Sequence, residues 1–450
     1  MVEKRQIKLG LSMQGYGYHH SGWLDPAAPV GGAVDFRHYL DMTRTAEAGL
    51  FDMVFLADFV AFPMVDLPKG ALGRRDRDSL EPLSLLSALA PQTQNVGLVA
   101  TMSTTFAEPY HTARAYASID HISGGRVGWN VVTSFQDEEA KNFGSSKILE
   151  KELRYERAEE FVDVVCGLWN SFEVDAFPRD KSAGVYFDPA KVRILNHVGK
   201  HFRVKGPLTV PPTPQGRPVI VQAGASAPGQ ELAARTADVV YAVQNTLEDA
   251  QKFYRSLKGR MARYGRAEDE LKVMPGLLAV IGDTEQAARA KYKQMQEMVD
   301  PMVGLEYLAR VFGDLSGYPL DGPVPDLRQD TQLASRSEVL LNVARRNNYS
   351  IRQLFQSVAI GNAHNTLVGT PEQIVDTMEA WFLGGGADGF NILPAVSPAS
   401  LREFVQHIVP ELQRRGLFRT SYEGSTLREN LGLPAPKNLA PTNIGAVAAH

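Results

Sequence analysis

Eight short runs of β-forming apolar residues alternate with segments of helical periodicity along this chain. Between the first two runs, for example, Phe36, Tyr39, Thr43 and Ala46 recur at the spacing of one helix face. Strands that alternate with helices are typical of a parallel sheet, and eight such strands are the number that closes a barrel. The sequence therefore predicts an α/β protein with a (β/α)8 TIM barrel. The runs lie at 7–13, 53–57, 96–101, 127–132, 218–222, 239–243, 273–280 and 389–393.

Start and stop signals indicate where several of the helices begin and end. Thr370 precedes a proline and stands three residues before Gln373, which predicts an N-cap with a capping box. Asp283 and Gln286 repeat this spacing, so Asp283 is predicted to cap the helix that follows it. Gly49 stands where a helix often ends in the left-handed conformation.

Three long segments do not fit a minimal barrel. They lie at about 59–80, 170–216 and 300–364, and the last two are rich in proline, glycine and charged residues. Long connections of this kind often carry function, so we expect excursions over the barrel faces, one of which forms a lid. Barrels with insertions run past roughly 400 residues as one domain. We therefore expect a single domain over 1–433, followed by a tail at 434–450.

The composition excludes several classes of protein. A chain of 450 residues that is 44 % hydrophobic can bury a large core, and a net charge of −4 gives no basic surface for nucleic acid. Cys166 is the single cysteine, which excludes an internal disulfide and a thiolate metal site. The N-terminal apolar run is too short for a secretory signal, and no run of about 18 apolar residues occurs. We expect a cytoplasmic protein.

Polar side chains close four of the predicted strands. Asp58 follows the second strand, Thr101 ends the third, Asn130 lies in the fourth, and a polar turn at 222–226 follows the fifth. In this type of barrel ligands bind at the carboxyl ends of the strands, so these side chains are expected to share one mouth. Any one of them could instead cap the next helix. The coincidence of four favours a binding site.

The turn formed by Gly224, Ala225 and Ser226 connects a strand to a helix that begins near Pro228. Such a turn exposes backbone N–H groups and the positive end of the helix, which suit a phosphate. It resembles the nucleophile elbow of serine hydrolases, but Pro228 stands where a second glycine is required, and we reject that interpretation. Ser226 could also be an ordinary N-cap, which is compatible with phosphate binding.

The remaining polar candidates are histidines. His19, His20 and His111 are suited to move protons near neutral pH, although lone histidines are more often structural than catalytic. The chain has no metal-ligand spacing, no P-loop and no dinucleotide fingerprint, so a metal site and a Rossmann-bound nicotinamide are not supported. Tyr155 and Arg157 open a predicted helix over 154–169, and the residues alone would place them at the surface.

Five segments match the motifs of one family in order and with similar spacing, over about residues 5–433. They resemble the nitrilotriacetate monooxygenase family, a branch of the bacterial-luciferase-like flavin monooxygenases that includes dibenzothiophene-sulfone and EDTA monooxygenases. The segments are FLAD at 55–58, SGGRVGWNVVTS at 123–134, RYERAEE at 154–160, VIVQAGAS at 219–226 and GGGADGFNI at 384–392.

The resemblance implies a two-component monooxygenase that receives FMN as FMNH2 from a separate NAD(P)H:flavin reductase. In this family the reduced flavin and dioxygen form a C4a-(hydro)peroxide, which oxygenates a small organic substrate, and a dry pocket protects that species. Sulfur- and nitrogen-containing compounds are the candidate substrates. The resemblance also implies a homodimer or homotetramer.

Carried over position by position, Asp58 resembles the family residue near the flavin ring. Thr101 resembles the residue on the third strand end that faces the ring, and Asn130 would lie beneath it.

At the other end of the flavin, Tyr155 and Ser226 resemble the phosphate contacts, with backbone N–H groups from the region of Ala225. The family often has histidine four residues before the tyrosine, where this chain has Lys151. A lysine there could pair with phosphate as a point charge.

Three other functions remain open on the sequence. The same fold can use coenzyme F420 as a hydride carrier, or the chain could bind flavin without turnover. A glycosidase would need two carboxylates that flank one bond, and Asp58 has no evident partner. The aromatic loop at 15–20, with Phe59, Phe62 and Met64, could form an apolar substrate wall or could pack under a lid.

Overall fold

The computed structural model describes residues 5–62, 64, 66–224, 226–325 and 334–436. All eight predicted barrel strands are present, each within two residues of its predicted bounds. The described residues form eleven strands in all. In chain order they are β1 (Lys8–Ser12), β2 (Met53–Leu56), β3 (Gly97–Ser103), β4 (Val127–Val132), β5 (His197–Val198), β6 (Arg203–Val204), β7 (Val219–Ala223), β8 (Val239–Ala242), β9 (Lys272–Ile281), β10 (Asn365–Gly369) and β11 (Gly389–Ile392).

Parallel pairing closes eight of these strands into the predicted barrel. The order is β1, β2, β3, β4, β7, β8, β9, β11, and β11 pairs back to β1. The helices surround it: α1 (Phe36–Ala48), α2 (Pro82–Leu89), α3 (Pro109–Ser123), α4 (Asp137–Lys141), α5 (Lys151–Trp169), α6 (Ala227–Thr236), α7 (Leu247–Met261), α8 (Glu285–Met298), α9 (Pro301–Phe312), α10 (Ala334–Asn347), α11 (Ile351–Ala359), α12 (Pro371–Leu383), α13 (Ala399–Glu403), α14 (Val409–Arg414) and α15 (Leu427–Asn430).

Helix α15 fills the amino-terminal end of the barrel. Inward residues of β2, β3, β7, β8 and β9 form a core of their own together with three leucines from α15 and the residues after it. Gly97, the first residue of β3, packs closely against α15, since a Cβ there would lie 2.4 Å from the Leu427 side chain. The amino-terminal end is therefore closed by apolar packing, and the carboxyl end is left for a site.

Three aspartates, Asp52, Asp238 and Asp388, each stand one residue before a barrel strand. We call them the strand-start aspartates. Asp52 accepts the N–H of Leu9 at 2.7 Å, Asp238 that of Ile220 at 2.8 Å, and Asp388 that of Val273 at 2.9 Å. Each carboxylate thus joins the start of its own strand to the strand beside it.

A buried basic residue pairs with each strand-start aspartate. Arg419 pairs with Asp52, Lys258 with Asp388 at 3.1 Å, and Arg428 with Asp238 at 3.0 Å. Burial alone would raise the pKa of Asp238, but the adjacent arginines hold it at about 2. Asp238 therefore stays ionised near neutral pH.

The long segments differ in what they contain. Residues 59–80 have neither helix nor strand among those described, and 170–216 hold the small β5–β6 hairpin. Residues 300–364 hold α9, α10 and α11, whose apolar residues form a separate cluster around Leu308 and Phe355. Of the predicted tail at 434–450, residues 437–450 lie outside the described part of the chain. None of the described helices combines the length and hydropathy that a membrane crossing requires.

Strand β10 was not predicted. It pairs in parallel with residues 277–281 of β9, which has ten residues and extends beyond the four-residue β8. Its sequence, NTLVG, is short and only half-buried, so it lacks the apolar run that marked the other strands.

Two predicted helix ends are wrong by one residue, whereas the capping box of Thr370 and Gln373 is confirmed. Thr284, not Asp283, caps α8, because its hydroxyl accepts the N–H of Ala287. Gly49 is not left-handed: Leu50 takes that conformation, with φ 59°. Gly49 is instead required for space, since a Cβ would lie 2.7 Å from Val405.

We expect Arg428→Met to lower the free energy of unfolding by about 3 kcal/mol, because it removes a partner of the buried Asp238 charge. Arg289→Met is the control, since Arg289 forms an exposed salt bridge with Glu285 and should cost less than about 1 kcal/mol. Urea denaturation measures both. Equal losses would show that the buried pair does not hold the barrel.

Candidate active site

Two predicted site residues meet inside the carboxyl end of the barrel. Thr101 and Asn130 are register partners on β3 and β4, and the Asn130 amide donates to the Thr101 hydroxyl at 2.7 Å. That hydroxyl donates in turn to the Leu56 carbonyl at 2.8 Å. The period of two along each strand turns both side chains inward, on the same side as Val99 and Val221. The chain of bonds links the ends of β2, β3 and β4.

The Asn130 side chain is 3 % exposed, yet its carbonyl oxygen has no hydrogen-bond donor among the described residues. Leaving such a buried acceptor unpaired costs about 1–3 kcal/mol. Because this oxygen lies at the carboxyl end of the barrel, a ligand that enters the mouth can supply the missing donor. This oxygen therefore marks the floor of the mouth as a binding surface.

Asp58 lies two residues beyond β2, half-buried at the same mouth. Burial raises its pKa to about 6, with smaller contributions from the charges of Glu81 and Glu139. It lines a cavity of about 310 Å³ together with Phe59, Gln14 and other residues of the β1 and β2 loops. Its carboxyl group can therefore give or take a proton near neutral pH.

Tyr155 and Ser226 meet on the opposite side of the mouth. The Tyr155 hydroxyl, in the second turn of α5, lies 3.3 Å from that of Ser226, the N-cap of α6. Ser226 also accepts the N–H of Gly229 at 3.4 Å. A Cβ on Gly229 would lie 3.1 Å and 3.2 Å from the two hydroxyl oxygens, so glycine keeps this pocket open. Two hydroxyls and a helix N-terminus suit a phosphate.

The loop after β4 is held in an unusual conformation. Ser134 has φ 49°, in the left-handed region, and its carbonyl accepts from Arg154 of α5. Its hydroxyl lies 3.0 Å from that of Ser103 and donates to Glu139 at 3.1 Å. Sequence reasoning missed Arg154 and Glu139, because neither stands at a strand end. Their contacts fix the loop between the Asn130 floor and the Tyr155 pocket.

Tyr241 and His364 form a further pair that sequence reasoning missed. The Tyr241 hydroxyl, on β8, lies 2.9 Å from Nε2 of His364. Gly276 makes room for this pair, since a Cβ would lie 2.5 Å from the His364 ring. Phe55 stacks on Tyr241 with ring centres 5.8 Å apart. The glycine inside strand β9 was the available signal, because it marks a close approach.

The structure does not bring the three predicted histidines together. His19 has both ring nitrogens engaged, one by the Met295 carbonyl at 2.8 Å and one by the N–H of Ser21 at 3.0 Å. His20 bonds to Asn362 at 2.6 Å, and burial lowers its pKa well below the usual value. His111 is exposed on α3.

Two further candidates for the phosphate end are Lys151 and Ala225. Lys151 is exposed at the first position of α5. Ala225 lies outside the described residues.

Comparisons with known proteins agree with this geometry. A family model described as luciferase-like monooxygenase matches residues 17–388. Nitrilotriacetate monooxygenase component A of Aminobacter aminovorans is 50 % identical, over 97 % of this chain and 99 % of its own. N-acetyl-S-(2-succino)cysteine monooxygenase of Bacillus subtilis (strain 168) is 48 % identical, over 97 % and 98 %. The solved structure of EDTA monooxygenase from Chelativorans sp. BNC1 is similar with TM-score 0.82 and 33 % identity, over 96 % and 99 %.

The chain belongs to the luciferase-like monooxygenase family. Both the predicted resemblance and the predicted barrel are thereby confirmed. As a member, it is a flavin-dependent monooxygenase that acts on a small organic substrate, and FMN is the flavin that the related structures support.

The residues of this luciferase-like monooxygenase fit FMN at both ends of the mouth. The unpaired Asn130 oxygen and the inward Thr101 offer polar contacts beneath a flat ring. The opening that Gly229 keeps beside Tyr155 and Ser226 offers hydroxyl and N–H donors to a phosphate. The two ends lie on the strand ends β3–β4 and the turn after β7, which one elongated ligand can span.

We expect Tyr155→Phe and Ser226→Ala each to weaken FMN binding by about 10-fold, since each removes a hydrogen bond to a charged group. Ser226→Ala also removes an N-cap, at about 1 kcal/mol of stability. Thr426→Ala is the matched control, because it removes the N-cap of α15 at the closed, amino-terminal end of the barrel. Fluorescence titration and urea denaturation separate the effects. Unchanged affinity in both variants would refute the phosphate site.

We expect Asp58→Asn to stabilise the protein increasingly as the pH rises from about 4 to 7. The folded pKa of about 6 exceeds that of the unfolded chain, so ionising the carboxylate opposes folding above the unfolded pKa. Solvent screening limits the gain to about 1–2 kcal/mol. Urea denaturation of both proteins at pH 4.5 and 7.5 measures it. A difference that does not change with pH would contradict the raised pKa.

Proposed function

We propose that this enzyme binds FMN in its reduced form and uses it with dioxygen to oxygenate a small organic substrate. The observation that carries the proposal is the unpaired, buried Asn130 oxygen at the mouth, opposite a second polar pocket at Tyr155 and Ser226. When bound there, reduced FMN supplies the electrons that activate dioxygen. The protein residues bind, orient and exclude water.

At the ring end, Asn130 and Thr101 hold the flavin from below through their connected hydrogen bonds. The direction of these hydrogen bonds matters. Because the Thr101 hydroxyl donates its proton to the Leu56 carbonyl, its oxygen accepts from the Asn130 amide. Asp58 lines the cavity at the same mouth and would move a proton to or from the substrate, for which its pKa of about 6 is suited.

At the phosphate end, Tyr155 and Ser226 donate to the phosphate, together with backbone N–H groups at the start of α6. Lys151 contributes as an exposed point charge one turn before Tyr155. Ala225 directly precedes Ser226 in the sequence, and we assign the backbone N–H groups of this region to the phosphate as well. We assign no catalytic step to His19, His20 or His111. His19 joins the first loop to α8, His20 joins that loop to Asn362, and His111 is exposed.

A separate NAD(P)H:flavin reductase completes the system in this proposal. The nitrilotriacetate relative is named component A, which implies a second component, and the chain carries no dinucleotide fingerprint of its own. We place the pair in the cytoplasm, where NAD(P)H is available. We also propose that residues 1–433 act as one domain, with the three long segments shaping the substrate side, in a homodimer or homotetramer.

The test is oxygen consumption by the purified protein with FMN, NADH, catalase and an unrelated flavin reductase. Catalase returns half of the oxygen that free FMNH2 converts to peroxide, so oxygenation of a substrate appears as additional uptake. We expect oxygen uptake above the reductase background with at least one of three candidates: nitrilotriacetate, N-acetyl-S-(2-succino)cysteine and dibenzothiophene sulfone. Thr101→Val should lower the rate at least 10-fold, because it breaks the network beneath the flavin.

Other results would each support a different function. Anaerobic titration with photoreduced FMN that shows binding, without substrate-dependent oxygen uptake, would favour a non-catalytic flavin-binding protein. Failure to bind reduced FMN would favour coenzyme F420.

A further inference from the structure

Three arginines line the cavity beside Asp58, and a fourth, Arg74, lies on the same loop outside it. Arg74, Arg75 and Arg77 lie on the loop at 59–80, and Arg310 lies on α9. The cavity of about 310 Å³ opens between the ends of β1 and β2, and Arg75, Arg77 and Arg310 line it. Its volume is at the lower end of the range of small-molecule sites.

Three of these arginines are already paired with two acids of the fold. Arg74 pairs with Asp300 at 2.8 Å, and Arg77 and Arg310 both pair with Glu306, the latter at 2.7 Å. These pairs hold the loop onto α9. The guanidinium groups of these three arginines are therefore already engaged in ion pairs within the protein.

Arg75 has neither a salt bridge nor a side-chain hydrogen bond within the described part of the chain, although it is half-buried in the cavity wall. Burial lowers its pKa to about 10, and the charge of Asp76 opposes this only in part. The charge of Arg75 also helps to keep His20 neutral, after burial itself. The guanidinium nitrogens of Arg75 therefore remain available to a ligand that enters the cavity.

We propose that Arg75 receives a carboxylate of the substrate, and hence that the substrate is a small organic acid. A guanidinium presents two parallel N–H donors that match the two oxygens of a carboxylate. Phe59, Tyr39 and Leu56 provide apolar walls for the rest of the molecule, and Asp58 stands at the same cavity.

The flavin phosphate is not the expected partner of Arg75. The phosphate pocket lies at α5 and α6, after β4 and β7, whereas the cavity lies after β1 and β2. Asp76 and Asp78 also line the cavity, so it does not attract anions in general. The cavity therefore accepts an acid through the single carboxylate that reaches Arg75.

This inference rests on the proposed function, because it names the substrate class of the same site. The experiment measures oxygen uptake with nitrilotriacetate and N-acetyl-S-(2-succino)cysteine, with their methyl esters, and with the uncharged dibenzothiophene sulfone. Three variants are compared: Arg75→Ala, Arg75→Lys, and the control Arg74→Ala, which removes the same charge from the same loop outside the cavity.

We expect the acids to be turned over and the esters to be poor substrates. Arg75→Ala should raise KM for an acid about 10- to 100-fold, with a smaller change in kcat, and Arg75→Lys should be intermediate. Arg74→Ala should leave KM unchanged, and the FMN affinity of all three variants should equal that of the parent. Turnover of uncharged compounds only, or equal KM in the Arg75 and Arg74 variants, would overturn the inference.

If no compound gives oxygen uptake, the proposed function fails and calorimetry decides this inference by itself. Succinate is then titrated into the parent and into Arg75→Ala. Binding to the parent that is lost in the variant supports a carboxylate site. Absence of binding to the parent, or equal binding to both, overturns it.

Discussion

The closed end of the barrel depends on carboxylates buried beside the starts of its strands. Each strand-start aspartate takes the N–H of the adjacent strand and is paired with a buried cation, so it sets the offset between two strands and cannot easily be solvated. With the offset fixed, alternate residues are committed to the lumen. This is why Thr101 and Asn130 come to lie side by side at the opposite end.

The open end divides its tasks among different elements. In the proposed arrangement, strand ends supply the floor of the flavin site, and the N-terminal parts of α5 and α6 supply the phosphate pocket. Loops and the α9 helix supply the cavity in which the substrate is proposed to lie. The parts that bind the cofactor thus stand on rigid structure, and those that face the substrate stand on connections, a common division in barrel enzymes.

Much of the fold and part of the site could be predicted from sequence, because they depend on local patterns. Apolar runs gave the barrel strands, and the inward pair Thr101 and Asn130 followed from their strand-end positions. Residues such as Gly229, Arg75 and the Tyr241–His364 pair were missed since their roles arise from contacts between distant segments. Leu50 shows the same limit at short range, because the packing of Gly49 against Val405 decides which of the two takes the left-handed turn.

The salt bridges from the 59–80 loop to α9 have a consequence for how this scaffold can be re-engineered. Arg74 and Arg77 are bound to Asp300 and Glu306, more than 200 positions away in the chain. A chimera that imports the loop from another barrel would leave Asp300 without its partner and Glu306 paired with Arg310 alone. The loop and α9 should therefore be exchanged together. Replacing the loop alone would break its ion pairs with α9, so substrate preference can be transferred only when both segments are replaced.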